Sequence, residues 1–245
     1  MRGDMRNVRL RHSLLKRFSD SRWAWSYFLG PVYNRTIMKA AEGLYGELGE
    51  LIEPHDAIRL LDVGCGPGFL PILLARANPT AEVTGMDFSP RQVAFANRNL
   101  ERSGVSNCRF IEADAMDLPF EDGSFDIVTS IFSIKYWPDP ERGLREIRRV
   151  LDPGGALHMA ELNREFSDAE FDSLMALVRR SLSWYYSYHL AHVFARGAIL
   201  SQSVAMDEVA GWAASAGFHE VAADKIIGDM PAFSLVAEVA SGLDS

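Results

Sequence analysis

The sequence predicts an α/β protein with a doubly wound, Rossmann-like sheet. An apolar strand runs into a glycine-rich turn and an apolar helix at residues 60–70, and apolar strands then alternate with amphipathic helical patterns as far as residue 162. This alternation is typical of βαβ units in a parallel sheet. The chain of 245 residues is long enough for one well-buried domain of this kind.

The first strand ends in the turn Asp62-Val63-Gly64-Cys65-Gly66-Pro67-Gly68. Glycines at alternate positions let the backbone turn sharply with positive φ, and they let a ligand approach where a Cβ would collide. Open α/β sheets bind ligands at such turns, beyond the carboxyl ends of the strands. We therefore predict a nucleotide-like cofactor at this turn.

The spacing of the glycines distinguishes between cofactors. The pattern is G-x-G-x-G, whereas the dinucleotide fingerprint is G-x-G-x-x-G and its final glycine position is occupied here by Phe69. The carboxylate of Asp62 would repel a pyrophosphate, but it suits a ligand that carries an ammonium or sulfonium charge. A dinucleotide is the alternative cofactor.

The next βα unit places a second carboxylate at a strand end. Residues 82–87 are typical of a strand ending at Asp87, and Ser89 can cap a helix over 89–102. Asp87 follows the turn at about the distance at which Rossmann-like folds place an acid on a ribose diol, and its two oxygens can accept from both hydroxyls. Phe88 would then cover one face of an adenine. A purely capping role for Asp87 is the alternative.

Later segments continue the strand–helix alternation. Residues 110–120 end a third strand in a polar turn, and residues 124–132 form an almost continuously apolar fourth strand, as expected for burial on both faces. The pattern then predicts a helix over 138–151, a stop at 152–155, a fifth strand over 156–162, a helix over 206–216, and strands over 218–227 and 232–239.

In this order the segments resemble the class I S-adenosylmethionine-dependent methyltransferases, in particular the type 11 subgroup with quinone-type and other small-molecule acceptors. The turn matches D-x-G-x-G-x-G, and residues 125–162 match the family's F-D-x-V, helix, L-x-P-G-G, strand order. The resemblance implies seven strands with an antiparallel last strand and S-adenosyl-L-methionine as cofactor. Asp114 would accept from the adenine amino group, and the backbone N–H of Ala115 would contact the ring. The cofactor residues implied within the sheet are Asp62, Gly64, Cys65, Gly66, Gly68, Asp87, Phe88, Asp114, Ala115 and Ser130.

Residues 1–57 are expected to form an N-terminal helical cap, followed by the methyltransferase domain over 58–245. The aromatic run at 27–34 is similar to the segment that closes over the cofactor in quinone-pathway relatives. The resemblance implies that Tyr33 lies near the methionine moiety and that Tyr27 contacts the acceptor. Ordinary helix packing is the alternative for these aromatic residues.

Residues 163–206 are expected to form a helical lid over the acceptor, because the family carries insertions there. A helix over 182–196 would place a phenol, two imidazoles and a guanidinium on one face. A solvated or packed face is the alternative. The two histidines lack an evident third ligand, so no metal is predicted. The candidate acceptor contacts are Tyr185 and Tyr188, and the candidate bases are His189, His192 and, at the end of the fifth strand, Glu161.

The composition excludes several other classes. The net charge of −8 and the pI near 5.3 argue against a nucleic-acid partner. The two cysteines form no C-x-x-C pair, which favours a reducing cytoplasm, and no apolar run is long enough to span a membrane. A small-molecule substrate is expected, and a homodimer is left open.

The implied reaction is in-line transfer of a methyl group from a sulfonium to O, C or N of an aromatic, quinol or enol acceptor. The protein would mainly align the acceptor and exclude water. Two alternatives stay open: a cofactor-binding subunit without turnover, and a decarboxylase, cyclase or aminopropyl transferase that uses the same cofactor.

Overall fold

The computed structural model describes residues 59–170, 172, 173, 176, 203–225 and 232–241. The expected cap over 1–57 and most of the expected lid over 163–206 lie outside this range. The described strands are β1 (Arg59–Val63), β2 (Glu82–Asp87), β3 (Cys108–Glu112), β4 (Phe125–Ile131), β5 (Leu151–Leu162), β6 (Glu220–Lys225) and β7 (Ala232–Glu238).

These strands form one sheet in the order β3-β2-β1-β4-β5-β7-β6. The first five strands pair in parallel, and β7 inserts between β5 and β6 and runs antiparallel to both. The predicted seven-stranded, Rossmann-like sheet with an antiparallel last strand is therefore confirmed. No helix in the described ranges is both long and apolar enough to cross a membrane.

Helices cover both faces of the sheet, as a parallel sheet requires. The described helices are α1 (Phe69–Ala77), α2 (Pro90–Ser103), α3 (Pro140–Val150) and α4 (Met206–Ser215), with a 3-10 helix at Ile134–Tyr136. The first two pack through Leu74 and Ala96 into one core cluster, and the last two pack through Ile147 and Val209 into another.

The helix boundaries follow from local capping. Ser89 caps α2 by accepting from the backbone N–H of Gln92, and Gly104 ends that helix with a φ of 71°. Asp139 caps α3 by accepting from the backbone N–H of Arg142 at 3.0 Å. The sequence prediction began this helix at 138, and the cap moves the start to Pro140.

The predicted end of the helix is confirmed, since α3 ends at Val150. The predicted start of the fifth strand at 156 is wrong, because residues 151–155 already belong to β5. The register between β4 and β5 shifts between the pairs Phe125–Leu151 and Ile127–Ala156, so the strand begins with an irregularity. Val239, the residue after β7, forms two backbone hydrogen bonds with this stretch. The N–H of Gly154 donates to the carbonyl oxygen of Val239 at 3.1 Å, and the carbonyl oxygen of Gly155 accepts from the N–H of Val239 at 2.9 Å.

Candidate active site

A cavity opens at the carboxyl edge of the sheet, where β1 and β4 are neighbours and the connections leave toward opposite faces. Open α/β sheets bind ligands at this position. Eight of the ten cofactor residues predicted within the sheet line the cavity: Asp62, Gly64, Cys65, Gly66, Asp87, Phe88, Asp114 and Ala115. The predicted contacts Tyr27, Tyr33, Tyr185, Tyr188, His189 and His192 lie outside the described residues.

The three glycines of the turn after β1 have positive φ but different surroundings. A Cβ on Gly66, at φ +53°, would meet no heavy atom of the described residues within 4 Å, so this part of the backbone leaves room for a ligand there. A Cβ on Gly68 would lie 2.4 Å from the ring of Phe110, which means that this glycine permits close packing of the turn and does not line the cavity. The turn therefore fits the cofactor expectation at Gly66 and a packing role at Gly68.

Asp87 ties the glycine turn to the start of α2. Its Oδ2 accepts from the backbone N–H of Gly66 at 3.0 Å, and its Oδ1 accepts from the backbone N–H of Ser89 at 2.8 Å. The side chain is buried and still lines the cavity. Asp87 thus holds Ser89, the residue that caps α2, and also lines the cavity, while ribose binding stays a prediction.

Asp62 is a second buried carboxylate in the cavity, only 3% exposed, and its Oδ1 accepts from Thr129 Oγ1 at 2.7 Å. Burial raises the pKa of Asp62 to about 7, the hydroxyl of Thr129 lowers it, and the charge of Asp87 raises it further. No ion pair of Asp62 with a cationic side chain occurs among the described residues.

Burial also raises the pKa of Asp87 to about 6, and the hydrogen bonds from Ser89 and Gly66 lower it. Two buried carboxylates in one cavity make it attractive to a cation, because a positive charge nearby favours their ionised form. These carboxylate acceptors fit a ligand with a positive charge and hydroxyl groups, and they do not fit a pyrophosphate.

The segment after β3 supplies another side of the cavity. Asp114 Oδ1 accepts from the backbone N–H of Met116 at 2.9 Å, which fixes the carboxylate, and Ala115 is buried beside it. Phe88 is half-buried at the end of β2. These residues share one cavity with the glycine turn, and their contact with an adenine stays a prediction.

The sequence prediction missed the wall that residues 131–138 form after β4, which we call the aromatic wall. Its members that line the cavity are Ile131, Phe132, Ser133, Tyr136, Trp137 and Pro138. The available signal was an unusual aromatic density directly after an apolar strand.

Ser130, predicted as a cofactor contact, is fully buried and does not line the cavity. Its Oγ lies 2.6 Å from that of Ser133, and the two hydroxyls lie 3.0 and 3.1 Å from the carbonyl oxygen of Val63. The serine pair therefore joins the aromatic wall to the end of β1.

Glu161, a predicted base, is buried in an ion pair with Lys135 and does not line the cavity. The Oε1–Nζ distance is 2.6 Å, and the side chains of Glu161 and Lys135 are 0% and 4% exposed. Burial lowers the pKa of Lys135, and the charge of Glu161 offsets part of this change. A base role for Glu161 stays a prediction and would have to compete with the ion pair.

Comparison with known proteins connects this geometry to a family. Residues 54–208 match a family model described as a methyltransferase domain. The chain belongs to this methyltransferase family. The match covers β1 to the start of α4 and so includes the glycine turn, Asp87 and the aromatic wall.

Two curated relatives of this methyltransferase carry quinone-related names. The chain is 47% identical over 103 residues to the demethylmenaquinone methyltransferase of Thermus thermophilus, an alignment that covers 42% of this chain and 46% of the relative. It is 38% identical over 136 residues to the chloroplastic 2-methyl-6-phytyl-1,4-hydroquinone methyltransferase of Arabidopsis thaliana, covering 54% and 39%. The chain thus spans less than half the length of these relatives.

A solved structure with a different activity in its name is also similar to this methyltransferase chain. The cyclase SpnF superposes with a TM-score of 0.55 at 27% sequence identity, and the superposition covers 83% of each chain.

Proposed function

We propose that this chain binds S-adenosyl-L-methionine in the cavity and transfers its methyl group to a small aromatic acceptor of the quinol class. The observation that carries the proposal is the buried carboxylate of Asp62 beside the open backbone at Gly66. A buried carboxylate is costly unless a positive charge is near, and a sulfonium ligand with an ammonium group supplies such a charge.

The other cavity residues have matching roles. Asp87 keeps acceptor capacity on both oxygens after its two backbone hydrogen bonds, so it can accept from ribose hydroxyls. Asp114 would accept from the adenine amino group, the backbone N–H of Ala115 would donate to the ring, and the ring of Phe88 would stack on the base.

When bound, the cofactor supplies a methyl group on a positively charged sulfur that is a good leaving group. The chain's own contribution is to orient the acceptor and to exclude water. The rings of Phe132, Tyr136 and Trp137 form an apolar side of the cavity that suits both tasks. His189, His192 or Glu161 would accept the acceptor's proton where the chemistry needs a base.

The quinol class is supported by two things. The relatives named above act on a demethylmenaquinone and on a phytyl hydroquinone, according to their names. The aromatic wall offers ring contacts that favour a flat aromatic acceptor. The proposal covers methylation at an oxygen or at a ring carbon of the quinol.

Two measurements test this function. S-adenosylhomocysteine should raise the melting temperature while NAD and NADP leave it unchanged, because only a ligand of the native state stabilises it. Incubation with S-adenosylmethionine and a 1,4-naphthoquinol, prepared by chemical reduction of the quinone, should give a product heavier by one methylene unit. A shift with NAD alone would contradict the cofactor, and an unmodified naphthoquinol would contradict the acceptor class.

A second candidate is cyclisation of a bound substrate without methyl transfer. The similarity to the cyclase SpnF favours cyclisation over decarboxylation or aminopropyl transfer, since the superposition covers most of both chains. Cyclisation predicts a product of unchanged mass and cofactor that is not consumed, so the same mass measurement separates the two candidates.

A further inference from the structure

A buried cation lies behind the aromatic wall. Lys135 belongs to the 3-10 helix that follows β4, and its side chain is 4% exposed without lining the cavity. Its Nζ donates to Glu161 Oε1 at 2.6 Å and to the carbonyl oxygen of Phe132 at 2.7 Å. The same ammonium lies 5.4 Å from the ring centre of Phe132 and 4.9 Å from that of Tyr136, both of which line the cavity.

Phe132 has a backbone conformation that a side chain disfavours. Its φ is +56°, and it is the only non-glycine residue with positive φ in the described part of the chain. Two hydrogen bonds fix this conformation: its N–H donates to the carbonyl of Ala160 at 2.8 Å, and its own carbonyl accepts from Lys135. Such strained residues persist where the surroundings hold them in place.

The left-handed turn at Phe132 sets the path of the rest of the wall. Directly after it, Ser133 reaches the carbonyl of Val63 at 3.1 Å, and a Cβ on Gly64 would lie 2.4 Å from Ser133 Cβ. The backbone N–H groups of Tyr136 and Trp137 then form the bonds of the 3-10 helix. A change at Phe132 would therefore move the wall relative to the glycine turn.

Glu161 is a buried carboxylate whose cationic partner among the described residues is Lys135. Its Oε1 accepts from Lys135 and from the backbone N–H of Leu162 at 2.7 Å, and its Oε2 has no hydrogen-bond partner among the residues that the structure describes. Removing Lys135 alone would therefore take away the one cationic partner that Glu161 has among the described residues.

We propose that Lys135 is a positioning residue: clamped by Glu161, it holds Phe132 and Tyr136 so that the aromatic wall faces the glycine turn and orients the acceptor. This deepens the function proposed above and rests on it for the acceptor. Lys135 acts through the wall, since it does not itself line the cavity.

The test uses a neutral double variant, Lys135→Met with Glu161→Gln. Replacing both partners removes the whole ion pair, whereas Lys135→Met by itself would leave the buried carboxylate of Glu161 without its ammonium partner. With saturating S-adenosylhomocysteine, amide hydrogen exchange at Tyr136 and Trp137 should become at least about tenfold faster, while amides of β1 and β2 keep their protection.

The matched control is the pair Arg145→Met with Glu141→Gln, an exposed ion pair of α3 at 3.7 Å. Its exchange pattern should equal that of the parent. Unchanged exchange at Tyr136 and Trp137 in the double variant would overturn the proposal. An equal increase in the amide exchange rate of every strand would overturn it as well. Should the double variant not fold, Glu161→Gln alone is used, because the amide oxygen of glutamine remains a hydrogen-bond acceptor for Lys135. Amide exchange at Tyr136 and Trp137 should then also become faster, but by a smaller factor.

Kinetics with the 1,4-naphthoquinol supply a readout that general destabilisation would not give. The double variant should raise the KM for the quinol by at least about tenfold, while the Kd of S-adenosylhomocysteine changes less than about threefold. A lower kcat with an unchanged KM would contradict positioning and would favour a base role for Glu161 instead. Equal losses for both ligands would contradict positioning of the acceptor. Should the parent leave the naphthoquinol unmodified, the proposed acceptor class fails, and the exchange measurement still decides the role of Lys135.

Discussion

The two sides of the cavity are built by different means. The glycine turn and Asp87 form one side, where backbone N–H groups of the turn donate to residues at most 22 positions away in the sequence. The aromatic wall forms the other side, where a left-handed phenylalanine and a buried ion pair fix large rings. The first side fits a polar, cationic ligand, and the second fits an apolar ring, so each half of a two-substrate reaction has its own physical basis.

The largest expected effect comes from a substitution where the two sides meet. Gly64→Ala places a Cβ 2.4 Å from Ser133 Cβ at a φ of +79°. The left-handed backbone and the overlap together should lower the free energy of unfolding by about 3 kcal/mol or more, as measured by urea denaturation.

Gly66→Ala is the matched control for that substitution, because its Cβ would meet none of the residues that the structure describes within 4 Å, at a φ of +53°. It should cost only about 1–2 kcal/mol of stability and should weaken S-adenosylhomocysteine binding instead. Equal stability losses in the two variants would mean that the contact between the two sides is unimportant.

The second prediction concerns the pH dependence of the glycine-turn side. The folded-state pKa of Asp62, about 7, lies above its ordinary 3.8, so the folded state binds the extra proton and stability falls as the pH rises through this window. Asp62→Asn removes that penalty. The variant should gain stability over the parent above pH 7, by at most about 4 kcal/mol, and the gain should vanish near pH 4.

Thermal unfolding of the ligand-free protein at several pH values measures this difference. Asp117→Asn, which removes an exposed carboxylate on the neighbouring segment, is the control and should show no such trend. If Asp62→Asn is more stable than the unsubstituted protein by the same amount at pH 4 and at pH 8, the ionised carboxylate of Asp62 is not what lowers the stability.

The third prediction isolates Asp87. Asp87→Asn keeps one oxygen but loses the charge, so the Kd of S-adenosylhomocysteine should rise at least about tenfold by calorimetry. Asp224→Asn, an exposed residue on β6, should leave the Kd unchanged. An unchanged Kd in Asp87→Asn would mean that Asp87 only bonds the backbone N–H groups of Gly66 and Ser89 and does not contact the cofactor.

The smallest expected effect lies on the aromatic side. Trp137→Phe shortens one ring of the wall and should raise the KM for the naphthoquinol about threefold while leaving cofactor affinity intact. Trp212→Phe on α4 is the control, because Trp212 packs against the same core cluster as Trp137 but does not line the cavity. A loss of cofactor affinity in Trp137→Phe would mean that the wall contacts the cofactor as well.

The sequence predicted the glycine-turn side because its determinants are local. Glycine spacing, a carboxylate at a strand end and a capping serine all act within a few residues, and the structure brings them together. Lys135 and Glu161 are 26 positions apart, and nothing near either residue indicates that they meet. The irregular start of β5 depends likewise on Val239, more than 80 positions away, so the residues at 152–155 indicated the end of α3 but not the start of β5.

The position of β7 has a consequence for synthesis of the chain. The ribosome completes β5 and β6 before β7, yet β6 reaches the sheet only through β7. Until residues 232–238 emerge, the edge of β5 presents unpaired backbone groups, which is the condition that favours strand-to-strand aggregation. A released chain truncated after residue 225 should therefore be cleaved by protease in β6 while β1 to β4 resist, and resistance in β6 would indicate another pairing partner.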